Sequence, residues 1–258
     1  AHEDFLSKLP KDRVLVAIDS RDGIVTTHGW TRTTNATPED FVRRFNNYCS
    51  GFLYTIVEKE GMLGGTDIEA IKKIRSATTK ELVAAGGISS VDEIVSLQKM
   101  NVSTQLGMCI YTGKVSLEEA FVNCLDFEKR FGYLPTIVQD YDTKQVLTLA
   151  YSTPESVEQA LKTGKGTYFS RSRNKIWVKG ETSGNTQELV TARFDCDMDA
   201  LLFIVKQKGN ACHLGRYSCF GDKEFTISEL YNLLLDRKRL LPDNSFTLSL
   251  IHISEPTR

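Results

Sequence analysis

Seven side chains of the types that commonly bind metals cluster between Asp195 and Phe220. The carboxylates belong to Asp195, Asp197 and Asp199, the thiols belong to Cys196, Cys212 and Cys219, and His213 follows the second thiol directly. Thiolates favour zinc, whereas clustered carboxylates favour magnesium or calcium. This one segment therefore offers ligands for two chemically different metals.

The spacing of the three cysteines favours a catalytic zinc over a structural one. They do not follow the CxxC pattern of a zinc ribbon, and the segment has no fourth cysteine beside them. Structural zinc sites usually have four protein ligands, whereas catalytic sites keep three and leave one position for water. His213 is then a candidate proton-transfer group beside the metal; the alternative is a structural histidine with satisfied hydrogen bonds.

The three aspartates alternate with other residues. If Asp195 to Asp199 is extended, the carboxylates share one face and Cys196 points to the other. Three like charges on one face repel each other unless a cation joins them. Magnesium that bridges to a substrate phosphate is the simplest interpretation, and a solvated acidic turn is the alternative.

Two basic stretches, residues 170–175 and 179–185, precede the metal-ligand segment. Arg171 and Arg173 alternate with hydroxyl side chains, and Lys179 opens the second stretch. Guanidinium groups match phosphate oxygens, so the pattern favours a bound phosphate. A solvated hairpin with ordinary charges is the alternative.

The composition sets limits on the class of protein. A chain of 258 residues predicts two domains, and 41% apolar with 25% charged residues is ordinary for a soluble globular protein. The net charge of −1 argues against a whole-chain basic field for nucleic acid or anionic membrane. No apolar run of about eighteen residues and no leader are apparent, so we expect a cytoplasmic protein with no membrane partner.

Alternating β-rich and helical patterns in the first half predict an α/β fold. Four β-α units imply a parallel sheet, and four units are half of a (β/α)₈ barrel. The predicted strands are Val14–Ile18, Phe52–Val57, Leu82–Ala85 and Thr104–Ile110. The predicted helices are one with Thr37 as its N-cap and Pro38 at its first position that runs to Tyr48, Asp67–Ser76, one opening at Ser90, and Ser116–Phe131.

Candidate binding residues fall at the carboxyl ends of these predicted strands. Asp19 ends the first strand, Gly86 and Gly87 follow the third, and Gly107 lies within the fourth. Barrel active sites lie at strand carboxyl ends, and the last two β-α loops commonly hold a phosphate. The alternatives are a capping role for Asp19 and ordinary turn roles for the glycines.

Several motifs of the first half resemble the C-terminal half of the histidine-pathway ribotide isomerases. They are Ile18–Gly23, Thr27–Trp30, Tyr54-Thr55, Glu60–Gly64, Ala84–Gly87 and Gly107–Tyr111. The resemblance implies an aldose–ketose rearrangement in a (β/α)₈ barrel. It makes Asp19 a general acid, Thr55 a substrate-site hydroxyl, and Gly86, Gly87 and Gly107 the surroundings of a terminal phosphate.

The first half holds one of the two carboxylates that such a rearrangement requires. Proton transfer between two carbons needs a positioned acid and a positioned base, and the units that would carry the second group are absent from this sequence. We therefore do not expect the half barrel to isomerise a substrate alone. The alternative of another class is a non-catalytic scaffold that docks a complementary half barrel.

The second half predicts an α+β domain with mainly antiparallel strands. Its four motifs resemble phosphoribosyl-AMP cyclohydrolase; they are Ser170–Lys175, Lys179–Gly184, Asp195–Leu201 and Ala211–Phe220. The resemblance implies zinc-dependent hydrolysis of the purine ring of phosphoribosyl-AMP between N1 and C6, in L-histidine biosynthesis. It also implies a homodimer whose zinc ligands come from both subunits.

The same resemblance assigns roles to individual residues. It places zinc on Cys196, Cys212 and Cys219, magnesium on Asp195, Asp197 and Asp199, proton transfer on His213, and the nucleotide on Arg171, Arg173, Lys179, Glu181, Thr182 and Ser183.

Four segments follow from these patterns. Residues 1–131 form the partial barrel and residues 132–222 the cyclohydrolase-like domain. Residues 223–247 resemble the start of a phosphoribosyl-ATP pyrophosphohydrolase, with a helix over Phe225–Arg239. Residues 248–258 resemble the translation of a sequencing-library adapter, and we expect them to pack poorly.

Overall fold

Two compact units make up the chain, Ala1–Cys124 and Leu125–Arg258. The computed structural model describes residues 3–240. The second unit begins at Leu125, whereas the sequence patterns placed the boundary at Gly132. Within residues 3–240, no helix has the length and apolar character needed to cross a membrane.

The first unit is a six-stranded sheet with helices between its strands. The strand order is β3-β2-β1-β4-β5-β6, with β1, β4, β5 and β6 parallel and β2–β3 added as an antiparallel hairpin. The strands are β1 Leu15–Arg21, β2 Ile24–Thr27, β3 Arg32–Thr33, β4 Gly51–Ile56, β5 Glu81–Ala85 and β6 Ser103–Thr104. The helices are α1 Glu3–Leu6, α2 Pro38–Phe45, α3 Ile68–Ala77, α4 Val91–Lys99, α5 Met108–Tyr111 and α6 Leu117–Asn123.

Local side-chain caps decide where the helices of this unit begin. Thr37 and Asp40 form a reciprocal capping box at α2, and Ser90 and Glu93 form another at α4. The Asp67 carboxylate accepts from a backbone N–H in the first turn of α3. Each cap satisfies helix N–H groups that have no partner within the helix. The predicted starts of these helices are confirmed.

The helices cover one face of the first sheet. Ile18, Phe52 and Leu82 are buried there, whereas Leu15 on the opposite face is 51% exposed. Successive side chains of a strand point to opposite faces. Asp19 therefore lies on the same face of β1 as Leu15, the face that the helices leave uncovered.

The structure corrects three expectations in the first unit. Gly107 does not lie in a strand, because β6 ends at Thr104 and Met108–Tyr111 forms a helix. Short apolar runs fit a strand or a helix equally well by periodicity. The helix predicted from Ser116 to Phe131 ends at Asn123. Asp19 lies inside β1, since pairing with the unpredicted hairpin strand β2 extends β1 to Arg21.

The second unit is a six-stranded sheet in the order β10-β9-β8-β7-β12-β11. Every neighbouring pair is antiparallel except β7–β12. The strands are β7 Leu134–Asp140, β8 Val146–Ser152, β9 Thr167–Ser170, β10 Lys175–Val178, β11 Gln187–Phe194 and β12 Leu201–Gln207, and the helices are α7 Pro154–Thr163 and α8 Ile227–Leu240. Sequence patterns missed β7.

Both ends of α7 follow from its sequence. Thr153 caps its start, Pro154 occupies its first position, and Gly164 ends it in the left-handed conformation with φ +65°. Glycine adopts this conformation without a Cβ penalty. The helix predicted over Phe225–Arg239 is present as α8. The segment 248–258 and the end of 223–247 lie outside the described residues.

Candidate active site

A cavity of about 880 Å³ in the second unit brings the three predicted basic substrate-binding side chains together with His213 and one of the cysteines. Arg171, Arg173, Lys179, His213 and Cys219 all line it. Pockets for small ligands commonly have volumes of about 300–1,000 Å³. The remaining lining residues are Tyr133, Thr148, Leu149, Ala150, Tyr151, Tyr168, Phe169, Ser172, Trp177, Gln187 and Ala211.

The cavity lies where strands β8 and β9 pair only briefly. Their registered pairing consists of one position, Tyr151 opposite Phe169. Residues of both strands on either side of this position line the cavity. The basic stretch that follows β9 lines the same space through Arg171 and Arg173.

Backbone hydrogen bonds shape the loop that carries Cys212 and His213. The N–H of Cys212 donates to the carbonyl of Arg216 at 3.1 Å, and the N–H of Gly215 donates back to the carbonyl of Cys212 at 3.2 Å. Ser218 is fully buried, and its hydroxyl donates to the carbonyl of Val146 at 2.7 Å. These bonds fix the loop against β8 and bring His213 to the cavity wall.

Lys179 connects the second basic stretch to this loop. Its ammonium group donates to the carbonyl of Ala211 at 2.8 Å. Burial lowers the pKa of Lys179, while the nearby thiol groups of Cys219 and Cys212 act in the opposite direction. Cys212 and Cys219 therefore both lie within electrostatic reach of one ammonium group.

The three cysteine thiols are not gathered at one place within the described residues of one chain. Cys212 is buried, whereas Cys219 and Cys196 are exposed. Among the residues that the structure describes, the three thiols do not form a group whose ligand atoms converge on one ion position. The sulfur donors suit zinc chemically, but the three thiols are not gathered at one position within a single protomer.

The three aspartates do converge. One oxygen atom from each of Asp195, Asp197 and Asp199 lies within 4.8 Å of the others. The backbone from Asp195 to Asp199 is a turn, with Met198 at φ +61°, so the expected extended conformation is wrong. The Asp195 carboxylate closes this turn by accepting from the N–H groups of Asp199 and Ala200.

Two cations of the chain itself contact this carboxylate cluster. The Lys129 ammonium group bonds to the Asp197 carboxylate and lies 2.8 Å from an oxygen of Asp199. The same Asp199 oxygen lies 3.0 Å from a guanidinium nitrogen of Arg130. These contacts raise the pKa of Lys129, and the Lys129 hydrogen bond lowers that of Asp197. Sequence patterns missed both cations because they are distant in the chain.

The second predicted substrate stretch lines an adjoining cavity. Glu181, Thr182 and Ser183 line a pocket of about 280 Å³, which shares Arg173 and Lys179 with the large cavity. The two basic stretches therefore border neighbouring spaces, and the two shared cations lie between them.

Aromatic side chains form a part of the wall that the sequence patterns did not single out. The rings of Tyr133 and Tyr151 meet edge to face, with centroids 5.8 Å apart. Tyr133 also stacks against Phe169 at 6.3 Å. Aromatic rings provide stacking surfaces for planar ligands. The three residues lie far apart in the chain, and no local pattern in the sequence marks them as one wall.

The first unit brings its predicted residues to two separate places. Asp19 on β1 is in register with Thr55 on the parallel strand β4, and the indole N–H of Trp30 donates to the Asp19 carboxylate at 2.9 Å. Gly86, Gly87 and Gly107 border a pocket of about 40 Å³. A Cβ at Gly86 would lie 2.5 Å from the carbonyl oxygen of Ile56, so this position requires glycine.

Comparison with known proteins finds a matching family model in each unit. The family model for phosphoribosyl-AMP cyclohydrolase matches residues 148–221, and the model for histidine biosynthesis protein matches residues 2–116. Phosphoribosyl-AMP cyclohydrolase of Archaeoglobus fulgidus is 58% identical over 96 residues, which is 37% of this chain and 88% of that protein. The Nitrosopumilus maritimus cyclohydrolase is 56% identical over 102 residues, 40% of this chain and 94% of that protein.

The chain belongs to the phosphoribosyl-AMP cyclohydrolase family. It is thus an enzyme of the hydrolase class in histidine biosynthesis, and the resemblance that the sequence motifs showed in both halves is confirmed. The Thermus thermophilus histidine biosynthesis bifunctional protein HisIE is 43% identical over 129 residues, 47% of this chain. The chain spans 60% of that relative's length.

Proposed function

We propose that the second unit opens the purine ring of phosphoribosyl-AMP by zinc-dependent hydrolysis of the N1–C6 bond. The observation that carries this proposal is the 880 Å³ cavity, where the basic stretch, an aromatic wall and His213 face a common space. A phosphoribosyl nucleotide has anionic, planar and reacting parts. The cationic side chains suit the anionic parts, the ring of Phe169 suits the planar part, and His213 suits the reacting part.

The cationic side chains account for the phosphate groups. Arg171 and Arg173 are exposed at the rim, and Lys179 is half-buried deeper in the wall. Guanidinium forks bind phosphate oxygens in pairs, whereas an ammonium group acts as a point charge. We assign the arginines to a phosphate and Lys179 to orientation of the ligand beside the His213 loop.

His213 is assigned to proton transfer. Hydrolysis adds the oxygen of water to C6, breaks the C6–N1 bond and leaves a proton on N1. A single imidazole can accept the proton of the attacking water and return it to N1. His213 occupies the cavity wall one residue from Cys212, so its ring belongs to the same loop as a predicted zinc ligand.

Zinc is assigned to Cys196, Cys212 and Cys219. A zinc ion held there would supply a Lewis acid that polarises water and substrate. Because the three thiols do not converge within the described residues of one protomer, we propose that Cys196 is contributed by the second copy in a homodimer. The exposure of Cys196 is compatible with such a shared site.

Magnesium is assigned to Asp195, Asp197 and Asp199. Three converging carboxylates are a suitable donor set for a hard divalent cation. Lys129 and Arg130 already supply positive charge at this cluster. Magnesium would therefore have to compete with two side chains of the protein.

A ring-opening assay tests the proposal. Purified protein is incubated with phosphoribosyl-AMP, and the change in ultraviolet absorbance on ring opening is followed with and without a zinc chelator. We expect turnover that the chelator abolishes and added zinc restores. Turnover that persists in a zinc-free preparation would contradict the zinc requirement but not the hydrolase assignment.

A second candidate function concerns the first unit, which we infer to be half of a (β/α)₈ barrel. The register of Asp19 with Thr55 and the Gly86–Gly87 pocket favour the aldose–ketose rearrangement of a ribotide. An isomerase assay comparing the chain with Asp19→Asn tests it. Because one carboxylate candidate is present, we expect no isomerisation unless a complementary half barrel is added.

A further inference from the structure

One contact in the cavity joins a predicted phosphate ligand to an aromatic ring. The guanidinium carbon of Arg171 lies 3.5 Å from the centroid of the Tyr151 ring. This distance is well within the range of about 6 Å over which a cation interacts favourably with a ring face. Arginine also stacks its planar group on aromatic rings. Tyr151 therefore holds an exposed side chain that has many alternative rotamers.

The Tyr151 ring is itself fixed by its neighbours. Its backbone is paired on both sides, with Pro135 on β7 and Phe169 on β9. The ring of Tyr133 packs edge to face against it at an interplanar angle of 89°. Tyr133 in turn stacks on Phe169. A ring held by two strands and another aromatic side chain is a rigid support.

The second arginine is held in a different way. The Arg173 Nε–H donates to the Ser170 hydroxyl at 3.3 Å. The same Ser170 hydroxyl also accepts from the Arg173 backbone N–H. A local hydrogen bond orients Arg173, whereas Arg171 depends on a ring from another strand. The two arginines can therefore be separated experimentally.

We propose that Tyr151 is a positioning residue that orients Arg171 toward the phosphate of the nucleotide. The inference rests on the proposed binding of phosphate by Arg171. Ordering a flexible side chain on binding costs conformational entropy, so an arginine already placed by a ring loses less when the ligand arrives. The effect belongs to substrate binding and not to the chemical step.

Steady-state kinetics of Tyr151→Phe and Tyr151→Leu test the inference. Phenylalanine keeps the ring and leucine removes it, so Tyr151→Phe is the matched control. We expect Tyr151→Leu to raise KM for phosphoribosyl-AMP about threefold to tenfold with kcat within about twofold. Tyr151→Phe should leave KM unchanged. An equal loss in both variants would overturn the inference.

A double-mutant cycle with Arg171→Gln identifies the partner. If Tyr151 acts through Arg171, Tyr151→Leu raises KM in the natural background and adds nothing in the Arg171→Gln background. An unchanged effect in both backgrounds would show that Tyr151 acts independently of Arg171, and the inference would fail. If Arg171→Gln alone leaves KM unchanged, the proposed phosphate role of Arg171 fails instead.

Binding of adenosine 5′-monophosphate gives a readout that does not depend on turnover. Isothermal titration calorimetry should show the same order of affinities, with the natural protein equal to Tyr151→Phe and stronger than Tyr151→Leu. Tyr151→Met, with an unbranched side chain, replaces the leucine variant if circular dichroism shows that the latter does not fold. Equal affinities for the folded ring-free variant and the natural protein would overturn the inference.

Discussion

The ammonium nitrogen of Lys129 lies 2.8 Å from a carboxylate oxygen of the buried Asp199. Asp199 belongs to the three-carboxylate cluster that we assign to magnesium, and Arg130 contacts the same oxygen. The electrostatic repulsion among the three carboxylates is therefore already reduced by the chain itself. A divalent cation and these two side chains compete for the same oxygens.

The first prediction follows from this competition. Lys129→Ala removes one competing charge, so we expect magnesium to bind about twofold to fivefold more tightly. Isothermal titration calorimetry with magnesium alone measures the change. Lys144→Ala is the control, because Lys144 lies over the Tyr141 ring and does not contact the cluster. Equal affinities for the two variants would contradict the competition.

The second prediction concerns the shared zinc site. Cys196→Ala and Cys212→Ala should each abolish zinc binding and ring opening, whereas Cys124→Ala in the first unit should not. If Cys196 comes from the other subunit, a mixed dimer of the two inactive variants contains one complete site. Co-expression in equal amounts should then restore about one quarter of the natural activity. Half of the dimers are mixed in a symmetric assembly, and each mixed dimer has one complete site out of two.

Zinc content per chain in the same mixture provides a second measurement. It should rise from nearly zero to about one quarter of the natural value. A mixture that stays inactive and zinc-free would show that all three ligands come from one chain.

The third prediction concerns the pH dependence of the first unit. Hydrogen bonds from the Thr37 side chain and backbone lower the pKa of Asp40 from its ordinary value of 3.8. A carboxyl with a lowered folded-state pKa contributes stability above its unfolded value, and the contribution disappears as pH falls through the folded value. We expect Asp40→Asn to lower the urea midpoint at pH 6 and to have little effect near pH 2.5.

Trp30 fluorescence reports this transition in a Trp177→Phe background, since Trp30 lies in the first unit and Trp177 in the second. Glu39→Gln, outside the capping pair, is the control. A deficit of Asp40→Asn that is the same at both pH values would exclude the proposed charge effect.

The fourth prediction concerns the glycine at the carboxyl end of β5. Gly86 has φ +98°, and an added Cβ would meet the Ile56 backbone at 2.5 Å. Gly113 has φ +69° with open space around the same position. Gly86→Ala should therefore reduce the free energy of unfolding more than Gly113→Ala, by on the order of 1–3 kcal/mol. Urea denaturation followed by Trp30 fluorescence measures the difference. Equal losses of unfolding free energy in the two variants would mean that the positive φ, and not the contact with Ile56, sets the cost of the substitution.

Local patterns in the sequence were enough to locate most helices and strands. The caps at Thr37, Ser90 and Thr153 act within a few residues of the chain, so their effect can be predicted without a tertiary fold. Pairing between distant segments was harder to predict. Strand β7 and the β2–β3 hairpin went unrecognised, and the run after Gly107 became a helix although its apolar pattern also fits a strand.

The sequence by itself determined the chemical types of the ligands and the family, because motifs such as Asp195–Asp199 and Ala211–Phe220 combine rare residues at fixed spacing. Only the tertiary structure decided which groups meet. It placed Lys129 and Arg130 against the aspartates and Arg171 against Tyr151, and it did not bring the three cysteine thiols of one chain to a common position. The physical reason is that electrostatic and ring contacts depend on distance in space, and a turn or a strand crossing sets that distance independently of separation along the chain.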